Sequence, residues 1–460
     1  MSTADVQTLV LRFPPGDAVA HRILRIPEKR GRDAAEFLGG YREELTFGTD
    51  GTAGPWMSIG FSFAGLEALQ VPESYLRLFR RLAPAFTQGA VRRSVDLGDS
   101  AASAALNWER GFGQERAHVL VSWHGKRAQV DKKADQLEDA WNKDFKDRSR
   151  TTWQADGDRL GAPPRQEGQW VHFGFRDQLS EVCIDNSLPG APDRREHSPG
   201  TLLLGHVNDA GFNPFALTAA PDKVRSFFRD GSFGILRKIE QDVEAFERQV
   251  DKWADEMEAV MDLPSPRDFV KAKLCGRWPD GRQLRPGEVE PPRDRSLVLD
   301  LAEDKLGEGC PFGSHVRRMR ASPDGDGHVF ERPLQRRSVP YGPAAWSEHP
   351  NDGDPCGLLG HFFCASIEDQ FEHLVSQWAA RPPLGFAAQD RALDPFGGST
   401  QSADAALEVP LRGGDTQSLR GFSAWTTVKG TMYAWHPSRN ALIALFDDDF
   451  VPEKDERPWL

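Results

Sequence analysis

Met57-Ser-Ile-Gly-Phe-Ser-Phe63 runs directly into Ala64-Gly-Leu-Glu-Ala-Leu69. In the first segment large apolar residues alternate with small ones, the period of two expected of a strand with one face on a core. The second segment reads as a short helix. Further along, His118-Val-Leu-Val-Ser-Trp123 repeats the alternation and closes at Gly125. Upstream, Val6-Gln-Thr-Leu-Val-Leu-Arg-Phe13 also reads as a strand. Residues 127–150 are highly charged and sparsely apolar, consistent with a solvated helix. Strand, helix and strand elements in the first ~155 residues indicate an α+β sandwich type.

A break follows. Asp156-Gly-Asp and Gly161-Ala-Pro-Pro-Arg-Gln-Glu-Gly168 are rich in turn formers. They divide the chain into an expected N-terminal domain, 1–160, and a C-terminal domain, 165–460. Beyond the break, Leu236, Ile239, Val243, Phe246 and Val250 recur three or four apart, predicting a long helix over 233–262. Polar, proline-rich loops are expected around 277–294 and 321–333. The apolar run Gly357-Leu-Leu-Gly-His-Phe-Phe-Cys364 precedes an amphipathic helix marked by Ile367, Phe371, Leu374, Val375 and Trp378. The stretch from Asp447 is acidic and reads as a mobile tail.

The composition excludes several classes. With 57 basic and 69 acidic residues the net charge is −12, unlike the basic surface of a phosphate-backbone binder. No stretch of about 18 apolar residues is present to span a membrane. Met-Ser-Thr-Ala-Asp at the start lacks the pattern of a secretory leader, which points to a cytoplasmic protein. Five cysteines (Cys183, Cys275, Cys310, Cys356 and Cys364) form no C-x-x-C pair and read as reduced, buried thiols. Twelve histidines include no H-E-x-x-H, and phosphate-loop and G-x-S-x-G motifs are absent. A metal, if held, would therefore have one protein ligand and bring its own equatorial ligands, which describes haem.

Several segments together resemble the dye-decolorizing peroxidase family. Ser58-Ile-Gly-Phe-Ser-Phe-Ala-Gly-Leu-Glu-Ala-Leu69 is similar to its G-F-T-x-x-G-L-x-A-L segment, and Asp96-Leu-Gly-Asp99 with Trp108 to its L-G-D…W stretch. Ala272-Lys-Leu-Cys-Gly-Arg-Trp-Pro-Asp-Gly281 resembles A-K-L-V-G-R-W-x-x-G. Cys310-Pro-Phe-Gly-Ser-His-Val-Arg-Arg318 resembles C-P-x-G-x-H-I-R-R, and Arg336-Arg-Ser-Val-Pro-Tyr-Gly342 resembles R-R-G-I-P-Y-G. Five such segments in family order cover nearly the whole chain. The resemblance implies two ferredoxin-like α+β domains with antiparallel sheets and haem b in the second. The implied function is reduction of hydrogen peroxide coupled to oxidation of organic donors such as dyes and phenols.

The resemblance also assigns residues. His315 takes the place of the axial iron ligand, and imidazole is the usual proximal ligand where iron must cleave an O–O bond. A ligating imidazole needs an acceptor on its other nitrogen. Asp394, in Leu393-Asp-Pro-Phe-Gly397, resembles that acceptor and reads equally well as a turn aspartate before proline. Asp177 in Gly174-Phe-Arg-Asp-Gln178 resembles the distal proton carrier, and Arg336 the distal arginine. Such a pair moves a proton between the peroxide oxygens and stabilises the charge that develops. An acidic optimum would follow, because aspartate is ordinarily ionised at neutral pH and must recover its proton. Arg317 and Arg318 are candidates for the haem propionates, with either one able to point inward. Tyr341 and Trp378 match positions for surface electron transfer, while Trp378 also continues an apolar stripe and reads as core.

Two positions depart from the family. Gln178 stands where the motif has glycine, and glutamine does not tolerate φ > 0 cheaply, so the backbone beside Asp177 is expected to differ. Gly360 stands where a distal phenylalanine is usual, which predicts a roomier or wetter pocket. His361 next to it is expected to face the other way. These departures keep two rivals open: a haem-binding protein for storage, sensing or haem handling with weak peroxidase activity, and a cofactor-free scaffold. No nucleic-acid or membrane partner is expected, and a homo-oligomer is compatible with the sequence.

Overall fold

The computed structural model describes residues 3–48, 54–113, 116–145, 153–185, 190–320, 331–344, 346, 354–379, 394–397, 405–411 and 414–451. Most of the loop expected at 321–333, and the tail beyond 451, lie outside these residues. Nine strands form one antiparallel sheet: β1 (Ala18–Leu24), β2 (Trp56–Phe61), β3 (Val119–Gly125), β4 (Trp153–Asp158), β5 (Ser232–Gln241), β6 (Gln335–Arg336), β7 (Val339–Tyr341), β8 (Gly357–Cys364) and β9 (Thr426–His436). Their order is β6-β8-β5-β9-β2-β3-β1-β4, with β7 also on β8. The strands before residue 160 meet those after 165 where Trp435 pairs with Phe61.

Helices cover the sheet, giving an α+β architecture: α1 (Thr8–Leu11), α2 (Phe63–Ala68), α3 (Arg127–Asp144), α4 (Val243–Glu258), α5 (Pro266–Cys275) and α6 (His315–Arg320). The strand-then-helix reading of 57–69 corresponds to β2 and α2, with the Ser62 hydroxyl accepting from Gly65 N–H as the helix cap. α3 buries Val130, Ala134, Leu137 and Trp141 along one face and leaves its charges in water.

Two expectations are corrected. Residues 6–13 are not a strand. Thr8–Leu11 coil into a short buried helix, and so short a run, with Leu9, Val10 and Leu11 consecutive, carries no periodicity that separates the two. The helix predicted over 233–262 begins only at Val243. Leu236 and Ile239 belong to β5, and Asp242 caps the helix by accepting from Ala245 N–H.

Sheet twist accumulates until the two ends come together. At Gly157 in β4, a Cβ would lie 2.6 Å from Pro340 O and 3.2 Å from Leu359 Cδ1, so glycine permits this closure. His21 (β1), His124 (β3), His361 (β8) and His436 (β9) line the enclosed face, all essentially buried. The His21 and His361 rings are 5.5 Å apart, although their strands stand near opposite ends of the sheet order. A second core, including Phe173, Phe246, Trp253, Phe269 and Trp278, packs α4 and α5 beneath the loops that carry the site.

Candidate active site

His315 is the first residue of α6, and the loop before it is fastened from inside. Asp304 accepts from Gly309 N–H (3.1 Å), Cys310 N–H (2.7 Å) and Arg317 Nη2 (2.7 Å). Gly276 ends α5 at φ +94°, where a Cβ would meet Cys310 Sγ at 2.5 Å, so only glycine lets this loop close on the helix.

The His315 Nδ1–H donates to Asp394, 2.8 Å from Oδ2 and 3.0 Å from Oδ1. Asp394 is completely buried and also accepts from Phe396 N–H (2.8 Å) and Gly397 N–H (2.7 Å). Burial by itself would raise the carboxyl pKa. The imidazole charge and these donors outweigh it and hold the pKa below the ordinary range. The His315 side chain remains 31% exposed, and its Nε2 has no hydrogen-bond partner among the described residues.

Phe396 joins the two sides of the site. Its ring stands edge-on to His315 (5.6 Å) and packs on Phe175 (5.5 Å), two residues before Asp177. Asp177 is half-buried, with its N–H donated to Gln169 O at 2.8 Å. Gln178 adopts φ +59°. Glutamine here takes up the left-handed conformation that glycine would adopt cheaply.

Arg336 is exposed on β6 and donates from Nη2 to Ser180 Oγ at 2.7 Å. Across the β6–β8 register it faces Phe362. A Cβ placed on Gly360 would lie 2.7 Å from the Phe362 ring and 3.0 Å from Arg237 O. The roomier pocket expected at Gly360 is thus corrected, because the phenylalanine two residues along the same strand face fills that space. His361 faces the enclosed side of the sheet, where neither ring nitrogen has a partner.

Arg317 and Arg318 are both buried. Arg317 pairs with Asp304, and Arg318 donates to Gly313 O (3.2 Å) and Trp378 O (2.8 Å). These donors brace the His315 loop. Tyr341 is half-buried. Lys238 Nζ lies 4.9 Å from its ring centre, and its buried hydroxyl has no partner. Trp378 is also half-buried, edge-on to His373, so it is neither sealed in the core nor fully exposed.

Sequence reasoning missed Phe362, Phe396, Ser180 and Arg159. Burial lowers the half-buried Arg159 guanidinium's pKa, opposed by the charges of Asp177 and Asp17, so Arg159 is a cation close to the Asp177 carboxylate. Nothing in its local sequence signals this, because the approach is tertiary.

The donor set suits haem. Among the described residues no three His, Cys, Asp or Glu side chains gather as a metal site, whereas His315 offers one nitrogen while a buried carboxylate holds the other. No helix among those residues is long and apolar enough to cross a membrane.

No family model matches the chain. Among curated proteins, dye-decolorizing peroxidase msp1 of Mycetinis scorodonius is 25% identical, over 90% of this chain and 80% of that protein. A multifunctional dye peroxidase of Amycolatopsis sp. is 26% identical, over 85% of this chain and 82% of its own. Among solved structures, a dye-decolorizing peroxidase in complex with 2,6-dimethoxyphenol superposes with a TM-score of 0.77 at 21% identity, covering 97% of this chain and 99% of that one. A DyP-type peroxidase of Anabaena sp. gives 0.71 at 20% identity, covering 94% and 91%. Motif order, fold and curated relatives agree: over most of its length the chain is similar to dye-decolorizing peroxidases and shares their fold.

Proposed function

We propose that this protein is a haem b peroxidase that reduces hydrogen peroxide and oxidises organic donors such as phenols and dyes. The observation that carries the reading is the His315–Asp394 pair: a buried carboxylate orients an imidazole whose other nitrogen is uncommitted. In this reading residues 165–460 form the haem-carrying domain, and His315 Nε2 would hold the haem iron. Bound haem would supply the redox chemistry, accepting two oxidising equivalents from peroxide and passing them on singly.

The protein's own residues supply proton transfer and charge. Asp177 takes the proton from the inner peroxide oxygen and delivers it to the outer one, so that the outer oxygen leaves as water. Arg336 stabilises the negative charge that grows on the departing oxygen, and Ser180 holds its guanidinium at one nitrogen. An acidic optimum follows, since Asp177 must regain a proton for each cycle.

Titration of the purified protein with haem tests the reading. A Soret band is expected, lost or shifted in His315→Ala. Rapid mixing with peroxide should then show a reaction that Asp177→Asn and Arg336→Leu both slow. Haem binding without any reaction toward peroxide would leave the haem-handling alternative, and no haem binding at all would leave the scaffold.

A further inference from the structure

Tyr433 lies in β9, 2% exposed, and donates its hydroxyl proton to Glu372 Oε1 at 3.0 Å. Glu372 is itself buried and is gripped on both oxygens by Arg93, whose Nε lies 3.0 Å from Oε1. The result is a fixed phenol–carboxylate–guanidinium line inside the protein. Burial raises the phenol pKa well above its ordinary value, and the Glu372 charge and hydrogen bond raise it further, so the phenol remains protonated. Tyr341 differs: its buried hydroxyl meets no acceptor among the described residues.

A continuous row of rings connects this phenol with the site. Tyr433 packs on Phe371 (6.1 Å between centroids) and Phe371 on Phe362 (5.8 Å). Phe362 is the cross-strand neighbour of Arg336. At the other end, a crevice walled in part by Phe63, Phe86, Ala90, Phe112 and Tyr433 opens toward the outside.

We propose that Tyr433 is a redox-active residue of the peroxidase, with Glu372 as its proton acceptor. Loss of one electron from the phenol to the peroxide-oxidised centre breaks the O–H bond, and the proton moves to Glu372 Oε1. An organic donor then returns the electron, and Glu372 returns the proton. A phenol with a carboxylate already in place releases its electron without creating a high-energy cation, which a phenol lacking an acceptor cannot avoid. Arg93 is a positioning residue that holds both Glu372 oxygens and keeps the carboxylate aimed.

The inference rests on the peroxidase reading, and the test separates the two. Haem-loaded protein is mixed with peroxide and a nitroso spin trap, and the trapped residue is located by mass spectrometry alongside freeze-quench electron paramagnetic resonance. A tyrosyl signal and an adduct on Tyr433 are expected. Tyr433→Phe, which keeps the packed ring, should abolish that signal. Glu372→Gln, which keeps the shape without the base, should reduce it on the order of tenfold. Tyr41 packs on Phe37 (5.5 Å between centroids), outside this line of rings, and Tyr41→Phe should leave the signal intact. Peroxide consumption with adducts only at Tyr341 or Trp378, or a signal that survives Tyr433→Phe, overturns the inference and spares the peroxidase reading. A loaded protein that does not consume peroxide overturns both.

Discussion

His315 and Asp394 stand 79 residues apart in sequence, yet the imidazole Nδ1 lies 2.8 Å from a carboxylate oxygen with no exposure to solvent. Two backbone N–H groups hold the same carboxylate, so its orientation does not depend on the histidine. Asp394→Asn keeps an acceptor at Oδ1 and removes the charge. Haem affinity should fall about 10–100-fold, the usual cost of removing such a partner, with the fold retained. Haem titration followed by absorbance measures this, and an affinity equal to wild type would show that the carboxylate charge does not matter.

Gln178 carries a backbone cost. A non-glycine residue in the left-handed region costs roughly 1–2 kcal/mol, offset in part by the greater freedom that glycine loses on folding. Gln178→Gly should therefore stabilise the protein by up to about 1 kcal/mol. A β-branched replacement, Gln178→Val, should destabilise it. Denaturant midpoints decide the sign.

Gly360 and Phe362 are expected to be coupled. Gly360→Ala places a methyl against the Phe362 ring and Arg237 O, an overpacking cost of about 1–3 kcal/mol. Phe362→Ala relieves the ring contact and leaves the carbonyl contact, so the double variant should lose less stability than the two single losses combined. Strict additivity in the double-mutant cycle would mean that the ring does not occupy the space beside Gly360.

Burial holds His21 and His436 neutral, with pKa values pushed down to about 3, and drives His124 and His361 well below the ordinary value. For His21 the positive charge of Arg22 and the neighbouring His436 act in the same direction, while Ser122 Oγ and the rings of His124 and His361 face it. The unfolded chain takes up protons near pH ~6.5 that the folded interior refuses. Stability is complete above that pH and declines as pH falls toward about 3, by about 1.4 kcal/mol per histidine for each unit of separation. Urea midpoints from pH 7 to 4 should drop steadily, and His21→Phe should flatten the slope.

Much of the fold was legible where local signals act alone. The alternation at 57–63 and 118–123 marks β2 and β3, because a half-buried strand must alternate. The mixed runs 6–13 and 233–241 misled, because runs without a clean period suit helix and strand equally. Of the site, the chain shows that an imidazole follows Cys310-Pro-Phe-Gly-Ser and that a carboxylate precedes Gln178.

Local chemistry along the chain marked β2, β3 and the apolar run of β8, a net charge unlike that of a phosphate-backbone binder, and the positions able to hold or move a proton. The tertiary structure alone decided which carboxylate meets His315, that Arg317 braces a loop, that Phe362 fills the space beside Gly360, and that Glu372 faces Tyr433. The physical reason is range: alternation and capping act across two to four residues, whereas these contacts depend on strand register and on a sheet whose twist brings its own ends together.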